Sequence, residues 1–229
     1  MKALILSAGR GDRLRPLTDV IPKPLVDVGD KPLIVHHLEA LAGGGFREIV
    51  INCGYRGTLL RDALGDGKSF GVTIRYSVEP EAALDSGGGV YQALAQLGDE
   101  PFAVVNADVW TDYPRQRLHQ PPTGLAHLVL VDNPDHHPRG DFALVAGRVV
   151  EAPEGAQRLT YSGLGVLQPA LFTGCRPGRF SIVPLWRRAM AEAQVSGEHY
   201  RGVWRDVGTP QRLAALRMVV ARAQGWLAD

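Results

Sequence analysis

The chain is poor in cysteine and has no long apolar run. Its two cysteines, Cys53 and Cys175, are too few for a disulfide framework or a zinc site. The opening apolar stretch is shorter than the roughly 7–15 residues of a secretory signal. No stretch approaches the ~20 apolar residues of a membrane span. We therefore expect a cytoplasmic protein that has no membrane partner.

Net charge is also small, and lysine is scarce. Lysine and arginine together number 25 against 24 acidic residues, a formal net charge of +1. This balance gives no broad electrostatic reason to bind a nucleic acid polymer. The only lysines are Lys2, Lys23, Lys31 and Lys68, so every fixed cation beyond position 68 is an arginine.

Apolar runs and helical patterns alternate through the first half of the chain. The patterns predict strands at 2–7, 47–52, 72–78 and 102–106, and helices at 31–42, 57–64 and about 89–97. This alternation indicates a parallel sheet covered by helices on both faces, with right-handed crossovers. Ligands of such sheets bind beyond the carboxyl ends of the strands, which points to residues 7–13, 79–89 and 106–112.

The second half has a different pattern. It predicts strands at 125–131, 159–167 and 199–207, a hairpin over 142–151, and helices at 182–193 and 210–224. We therefore expect a three-layer α/β/α Rossmann-like fold with a mixed, mainly parallel central sheet. With no repeat or linker in between, residues 1–229 are expected to form one domain. The two patterns divide it into a first half of about 1–112 and a second half of about 113–229.

A basic, glycine-containing loop follows the first predicted strand. Residues 6–25 read LSAGRGDRLRPLTDVIPKPL. Gly9 and Gly11 allow close backbone approach, and the basic side chains suit phosphate oxygens. The loop lacks the third glycine of a dinucleotide-binding loop and the G-K-[ST] of a Walker loop. The composition favours a triphosphate loop of another kind.

The string G-x-G-x-R-x-x-P-L-T, followed by P-K-P, resembles the signature of the sugar-1-phosphate nucleotidyltransferases. It runs from Gly9 to Pro24. Further stretches resemble the short bacterial branch that acts on N-acetylmuramate 1-phosphate, so the resemblance covers essentially the whole chain. These stretches are INCGY (51–55), SGGG (86–89), VVNADVWTDY (104–113), NPDHHPRGDF (133–142), YSGLGVL (161–167) and SGEHYRGVWRDVGTP (196–210).

The resemblance implies an Mg²⁺-dependent enzyme whose partners are a nucleoside triphosphate and a sugar 1-phosphate. The implied reaction transfers the uridylyl group of UTP to N-acetylmuramate 1-phosphate, giving UDP-N-acetylmuramate and pyrophosphate, in peptidoglycan recycling. Another nucleotide (dTTP, CTP or GTP) or another acceptor (a hexose, heptose or glucosamine phosphate) stays open. So does a non-catalytic regulatory homologue.

The resemblance also assigns residues. Arg13, Lys23 and Asp108 would be catalytic, and Asp108 with Asp206 would hold Mg²⁺. Glu79 could accept the N3–H of uracil, and the glycines from Gly87 would let the chain pass close to a flat ring. The implied nucleotide-binding set is Leu6, Ala8, Gly9, Arg10, Gly11, Arg13, Lys23, Glu79, Ser86 and Gly87. The implied sugar-binding set is Asn106, Gly140, Asp141, Ser162 and Gly163.

The sequence departs from many relatives in the acceptor strand. Hexose-1-phosphate members often carry a glutamate–lysine pair there, whereas Ala152 follows Glu151 here. The acceptor phosphate would then need another cation, for which Arg139, Arg158 and Arg205 are candidates. The paired histidines at 36–37 and 136–137 are interpreted as structural or solvated, although His137 could touch the sugar.

Overall fold

The computed structural model describes residues 1–80, 83–152 and 155–223. The strands are β1 (Ala3–Leu6), β2 (Asp27–Val28), β3 (Lys31–Pro32), β4 (Glu48–Cys53), β5 (Thr73–Val78), β6 (Phe102–Asn106), β7 (Val109–Thr111), β8 (Ala126–Val131), β9 (Ala143–Val145), β10 (Arg148–Val150), β11 (Thr160–Leu167), β12 (Val195–His199) and β13 (Trp204–Asp206). The α-helices are α1 (Leu33–Gly43), α2 (Gly57–Leu64), α3 (Asp85–Leu97), α4 (Val183–Ala191) and α5 (Pro210–Ala223).

Nine strands form one sheet in the order β5-β4-β1-β6-β11-β8-β12-β10-β9. The four strands from β5 to β6 are parallel, as the apolar runs of the first half predict. β11 then inserts antiparallel between β6 and β8, while β12 runs parallel to β8. The prediction of a mixed, mainly parallel sheet is confirmed.

Helices cover both faces of this sheet. Alternate strand residues point to opposite sides, and apolar residues on both sides give each face a surface for helices to pack on. In β1, Ala3 and Ile5 pack with α1 and α2, whereas Leu4 packs with α3 and α4. A third apolar cluster joins α5 to β2 and to Leu14 and Val207. This cluster packs the glycine-containing loop after β1 against the segment that carries Asp206. None of the described helices is long and apolar enough to cross a membrane.

Other predicted ends shift by one or two residues, as where β3 occupies the start of the predicted helix 31–42, but two elements differ more from the sequence prediction. Helix α3 begins at Asp85 rather than at about residue 89, because its glycines pack closely inside the protein instead of forming a loop. The predicted strand over 199–207 is wrong in its bounds. Two strands occur there, since β12 ends at His199 in the large sheet and β13 pairs separately with β7. The hairpin is confirmed, with Ala146 and Gly147 in its turn at positive φ.

Candidate active site

A cavity of about 570 Å³ opens at the carboxyl ends of β1, β4, β5 and β6, where the fold class predicts ligand binding. Eight residues of the predicted nucleotide-binding set line it. They are Leu6, Ala8, Gly9, Gly11, Arg13, Lys23, Glu79 and Ser86. Asn106 and Asp108 line the same cavity, so strand ends that are distant in sequence meet there.

The loop after β1 is held in shape by its own backbone. Gly11 has φ +74°, and a Cβ there would lie 3.1 Å from the Cβ of Lys23, so glycine suits the position. The Gly11 carbonyl accepts hydrogen bonds from Leu14 N and Thr18 Oγ1, both at 2.9 Å. Leu14 is buried against α5. The loop is therefore tied to the rest of the fold by its own hydrogen bonds and by Leu14.

Lys23 and Asp108 form an ion pair on the cavity wall. Lys23 Nζ lies 2.7 Å from Asp108 Oδ2, and the lysine side chain is only 11% exposed. Asp108 follows the end of β6, where a parallel sheet presents residues to its ligand edge. The pair places a cation and a carboxylate beside each other, next to the glycine-containing loop after β1.

Asp206 lies on the strand beside Asp108, although 98 positions separate the two in sequence. β13 pairs with β7 so that Asp206 is opposite Val109, and Val207 N donates to the Asp108 carbonyl at 2.7 Å. Asp206 Oδ2 lies 2.7 Å from Arg212 Nη1, and Oδ1 lies 3.1 Å from His136 Nε2. The aspartates are thus neighbours through their backbones, and each carboxylate already has a cationic or N–H partner.

The carboxylates of Asp108 and Asp206 suit a hard cation that takes its remaining ligands from a substrate and from water. Within residues 1–80, 83–152 and 155–223, no cluster of three or more histidine, cysteine or acidic side chains could hold a metal by itself. Mg²⁺ commonly takes one or two carboxylates and completes its shell with phosphate oxygens and water. Asp108 and Asp206 match that demand, so these residues fit the ion that the resemblance implies.

Glu79 is buried at the far wall of the cavity. It is 6% exposed, and its Oε1 accepts from Asn52 Nδ2 at 2.6 Å. Its Oε2 accepts from Leu84 N at 2.8 Å. Each carboxylate oxygen keeps a further lone pair, so the group can still accept a hydrogen bond from a base.

Asn52 lines the cavity but was missed by the sequence analysis. In the sheet register Leu6 lies between Asn52 and Asn106, so the two asparagines are equivalent positions on neighbouring strands. Asn106 was assigned by the resemblance, whereas the signal that could have found Asn52 is its place as the polar last residue of the predicted strand 47–52. Gly208 lines the cavity as well, and only the tertiary structure brings it there.

Two residues of the predicted nucleotide set do not line the cavity. The guanidinium of Arg10 lies 5.1 Å from the ring centre of Tyr55, and its Nε lies 3.2 Å from Asp12. A Cβ on Gly87 would lie 2.5 Å from a ring carbon of Phe180. The Cβ direction of Gly87 therefore faces Phe180 inside the protein. Both assignments remain predictions from resemblance alone.

The predicted sugar-binding residues are distributed around the start of β11. A bulge lies between Tyr161 and Leu164, and it contains Ser162 and Gly163. A Cβ on Gly163 would lie 2.9 Å from that of Asn106, so the bulge touches the cavity wall. Ser162 is 1% exposed, and only its carbonyl has a distant partner, Trp204 Nε1 at 2.8 Å.

The remaining two sugar candidates lie one loop further along. Gly140 is buried, and Asp141 accepts hydrogen bonds from His137 Nε2 at 3.0 Å and from Tyr161 N at 2.8 Å. Neither lines the main cavity. Asp141 reaches the candidate acceptor region through the start of β11, beside the bulge.

Of the three arginines considered for the acceptor phosphate, two share a second cavity. Arg139 and Arg158 line it, together with residues 132–133, 138, 156–157 and 159. Arg205 instead donates from Nη1 to the Trp204 carbonyl at 2.7 Å. Glu151, which lacks a following lysine, pairs with Arg187 Nε at 2.6 Å.

His37 of α1 is buried under the strand that follows Asp108. It is 1% exposed, and burial lowers its pKa to about 3, with the charge of Arg115 acting in the same direction. Neither ring nitrogen has a hydrogen bond of good geometry within the described residues. The backbone of Val109 and Ala107 lies close enough to oppose the shift, but only in part. The imidazole is therefore neutral, as the sequence interpretation of a structural histidine expects.

Comparison with known proteins identifies the class. Residues 2–145 match the nucleotidyl transferase family model. N-acetylmuramate alpha-1-phosphate uridylyltransferase of Neisseria meningitidis is 49% identical over 93% of this chain and 95% of its own. Mannose-1-phosphate guanyltransferase of Schizosaccharomyces pombe is 36% identical over 92% of this chain but 62% of its own. The chain belongs to the nucleotidyl transferase family, which confirms the predicted class of sugar-1-phosphate nucleotidyltransferase.

A solved structure shows the same fold. UDP-glucose pyrophosphorylase in complex with UDP-glucose superposes with a TM-score of 0.77 at 21% identity. The match covers 97% of this chain and 98% of the other. At this identity the likeness concerns the fold alone, and it confirms the predicted α/β architecture.

Proposed function

We propose that this chain transfers the uridylyl group of UTP to N-acetylmuramate 1-phosphate, releasing pyrophosphate and forming UDP-N-acetylmuramate for peptidoglycan recycling in the cytoplasm. The observation that carries the proposal is the Lys23–Asp108 pair, 2.7 Å apart beside the ordered loop of Gly9 and Gly11. The 49% identical relative supports the choice of nucleotide and sugar.

The reaction needs positioning and charge neutralisation more than a side-chain nucleophile. A phosphate oxygen of the acceptor attacks the α-phosphorus in line, and the bond to the pyrophosphate oxygen breaks. Arg13 and the backbone of Gly9 and Gly11 would bind the β- and γ-phosphates. Lys23 would bind the α-phosphate or the attacking phosphate.

Asp108 and Asp206 would hold Mg²⁺, which neutralises phosphate charge when bound. On the chain's own side, the Lys23–Asp108 pair keeps the ammonium group against the cavity wall, where it faces the phosphate loop. Since Lys23 is mostly withdrawn from water, its charge is screened less than that of a surface lysine. This arrangement suits a fixed charge that stabilises a phosphate-transfer transition state.

The base and the sugar would bind on opposite sides of this pair. Glu79 would accept the N3–H of uracil through a free lone pair, and the residues around Asn106 and Asp141 would face the sugar. The division into a nucleotide half, about 1–112, and an acceptor half, about 113–229, belongs to the same proposal. N-acetylmuramate also carries a lactyl carboxylate, which an arginine-lined acceptor region would favour.

Pyrophosphate release with purified protein and Mg²⁺ tests the proposal. UTP, dTTP, CTP and GTP are crossed with the 1-phosphates of N-acetylmuramate, N-acetylglucosamine, mannose and glucose, and Asp108→Asn is the inactive control. Release that requires UTP and the muramic acceptor is expected. Preference for another pair would replace the proposed substrates, and silence across the grid with folded protein would refute the proposed activity.

A further inference from the structure

Two adjacent histidines lie in the loop after β8, and each bonds one carboxylate of the candidate site. His136 Nε2 lies 3.1 Å from Asp206 Oδ1, and His137 Nε2 lies 3.0 Å from Asp141 Oδ1. An ionised carboxylate only accepts hydrogen bonds, so Nε2 of each ring carries the donated hydrogen. One short loop therefore contacts both Asp206, a candidate metal ligand on β13, and Asp141 of the acceptor half.

This loop, residues 133–140, is called the histidine loop below, and it has internal support. His137 N donates to the Pro134 carbonyl at 2.8 Å. Asn133 accepts from Thr160 Oγ1 at 2.9 Å, which ties the loop to the start of β11. Pro134 and Pro138 lie on either side of the two histidines and restrict the backbone further. A single peptide unit separates the two residues that carry the imidazoles.

Each of the two carboxylates is also held from its other oxygen. Asp206 Oδ2 pairs with Arg212 Nη1 of α5 at 2.7 Å. Asp141 Oδ2 accepts from Tyr161 N of β11 at 2.8 Å. The histidine loop thus supplies one of two supports to each carboxylate, and each oxygen keeps a lone pair for a ligand.

We propose that His136 and His137 are positioning residues that couple binding of the acceptor sugar at Asp141 to binding of the metal at Asp206. The proposal rests on the proposed function, which gives the two aspartates their roles. A sugar that orders Asp141 also orders His137, and with it His136 and the Asp206 carboxylate. By linkage, the metal then improves acceptor binding by the same factor as the acceptor improves metal binding.

Mn²⁺ binding tests this coupling without turnover, because Mn²⁺ prefers the same oxygen ligands and free Mn²⁺ is counted by electron paramagnetic resonance. The Kd is measured with and without saturating N-acetylmuramate 1-phosphate. We expect the acceptor to tighten Mn²⁺ binding to the wild type by at least about fivefold, the lower end of usual couplings. His136→Ala and His137→Ala should each bring that factor close to unity.

Matched variants separate positioning from folding. His136→Gln and His137→Gln keep a side-chain N–H near the position of Nε2, so they should retain most of the coupling. His119→Ala removes an imidazole that stacks on Phe46, hydrogen-bonds the Gly44 carbonyl at 2.9 Å and lines neither cavity, so it should leave the coupling at the wild-type value. Thermal unfolding of every variant checks that the fold is intact.

The possible failures are distinct. Coupling that survives both alanine substitutions comes from direct contact of the acceptor phosphate with the metal, and this would overturn the proposal. Binding of both ligands to the wild type without coupling would overturn it too, while leaving the proposed function in place. Failure of the acceptor to bind the wild type in the absence of UTP would overturn the coupling, and pyrophosphate release in the substrate grid would decide the proposed function separately.

Discussion

The nucleotide end and the acceptor end of the sheet edge are built differently. The first is one cavity of about 570 Å³, and most of its wall comes from a contiguous loop and the ends of parallel strands. The second consists of a bulge, the histidine loop and the second cavity, where hydrogen bonds connect the histidine loop and Asp141 to β11. The difference indicates that the phosphate region is preorganised by local sequence, whereas the acceptor region depends on contacts between elements.

The largest effect is expected at the junction of the two regions. Asp108→Asn removes a charge from the candidate metal site and leaves Lys23 without its 2.7 Å partner. We expect turnover to fall by on the order of 10³-fold, as for loss of a preorganised transition-state contact. Steady-state kinetics measure it, and circular dichroism confirms folding. Turnover near the wild-type value would exclude Asp108 as a metal ligand.

On the nucleotide side, Lys23→Ala should raise the barrier by about 2–4 kcal/mol, comparable to removing one preorganised donor. Rate constants at saturating substrate measure the change. Lys31→Ala is the control, since Lys31 forms a 2.5 Å pair with Glu39 on α1 and does not line the cavity. A fall in the rate constant of less than about twofold for Lys23→Ala would contradict the assignment of Lys23 as a phosphate-binding cation.

On the acceptor side, Arg158→Ala and Arg139→Ala should raise the KM for the acceptor by about 10–100-fold, the value of a charged hydrogen bond. The KM for UTP should change little, because neither arginine lines the main cavity. Arg205→Ala discriminates between candidates, since that guanidinium bonds its own strand. If Arg205→Ala has the largest effect on the acceptor KM, the second cavity is not the phosphate site.

A smaller effect on substrate binding is expected at Glu79, the candidate contact to the nucleotide base. Glu79→Gln keeps the shape of the side chain but replaces one acceptor oxygen by an NH₂ group, which disturbs the bonds from Asn52 and Leu84. The KM for UTP should rise by about 2–10-fold, the value of one neutral hydrogen bond. Competition between UTP and CTP measures the selectivity. Unchanged KM and selectivity would remove Glu79 from the base contact.

Substitution of His37 is expected to have the smallest effect on turnover and a clear effect on the pH dependence of stability. Its pKa is about 3 in the folded protein, below the ordinary value of about 6.5. Between these values the unfolded chain binds a proton that the folded protein does not. The free energy of unfolding should therefore fall as pH is lowered through this window, by up to ~1.4 kcal/mol per pH unit.

Urea unfolding at pH values across that window measures the slope. His37→Gln should reduce the slope, because glutamine does not titrate. His119→Gln is the control for loss of an imidazole, since His119 stacks on Phe46 away from the cavity. A His37→Gln protein with the wild-type slope would contradict the assigned burial of a neutral imidazole.

The sequence predicted the first half of the fold well because its signals are local. Apolar runs such as 102–106 coincide with β6, and the glycine–arginine–proline string identified a phosphate-type loop that lines the cavity. Helix α3 was misjudged at its start, since three consecutive glycines read as a loop. Gly87 and Gly88 pack on residues 178–182 and Gly89 packs on Asn52 and Glu79, which are contacts with distant chain that no local pattern shows.

Within the candidate site, the sequence by itself determined that the loop after β1 and the chain after β5 and β6 lie at the ligand edge, because a parallel sheet presents the carboxyl ends of its strands at one edge. Only the tertiary structure decided that Asp206 lies beside Asp108, that Gly208 lines the cavity and that His136 and His137 hold two different aspartates. Apart from His137 and Asp141, which are four positions apart, these contacts join segments tens of residues apart. They follow from strand pairing and packing, which depend on the whole chain at once.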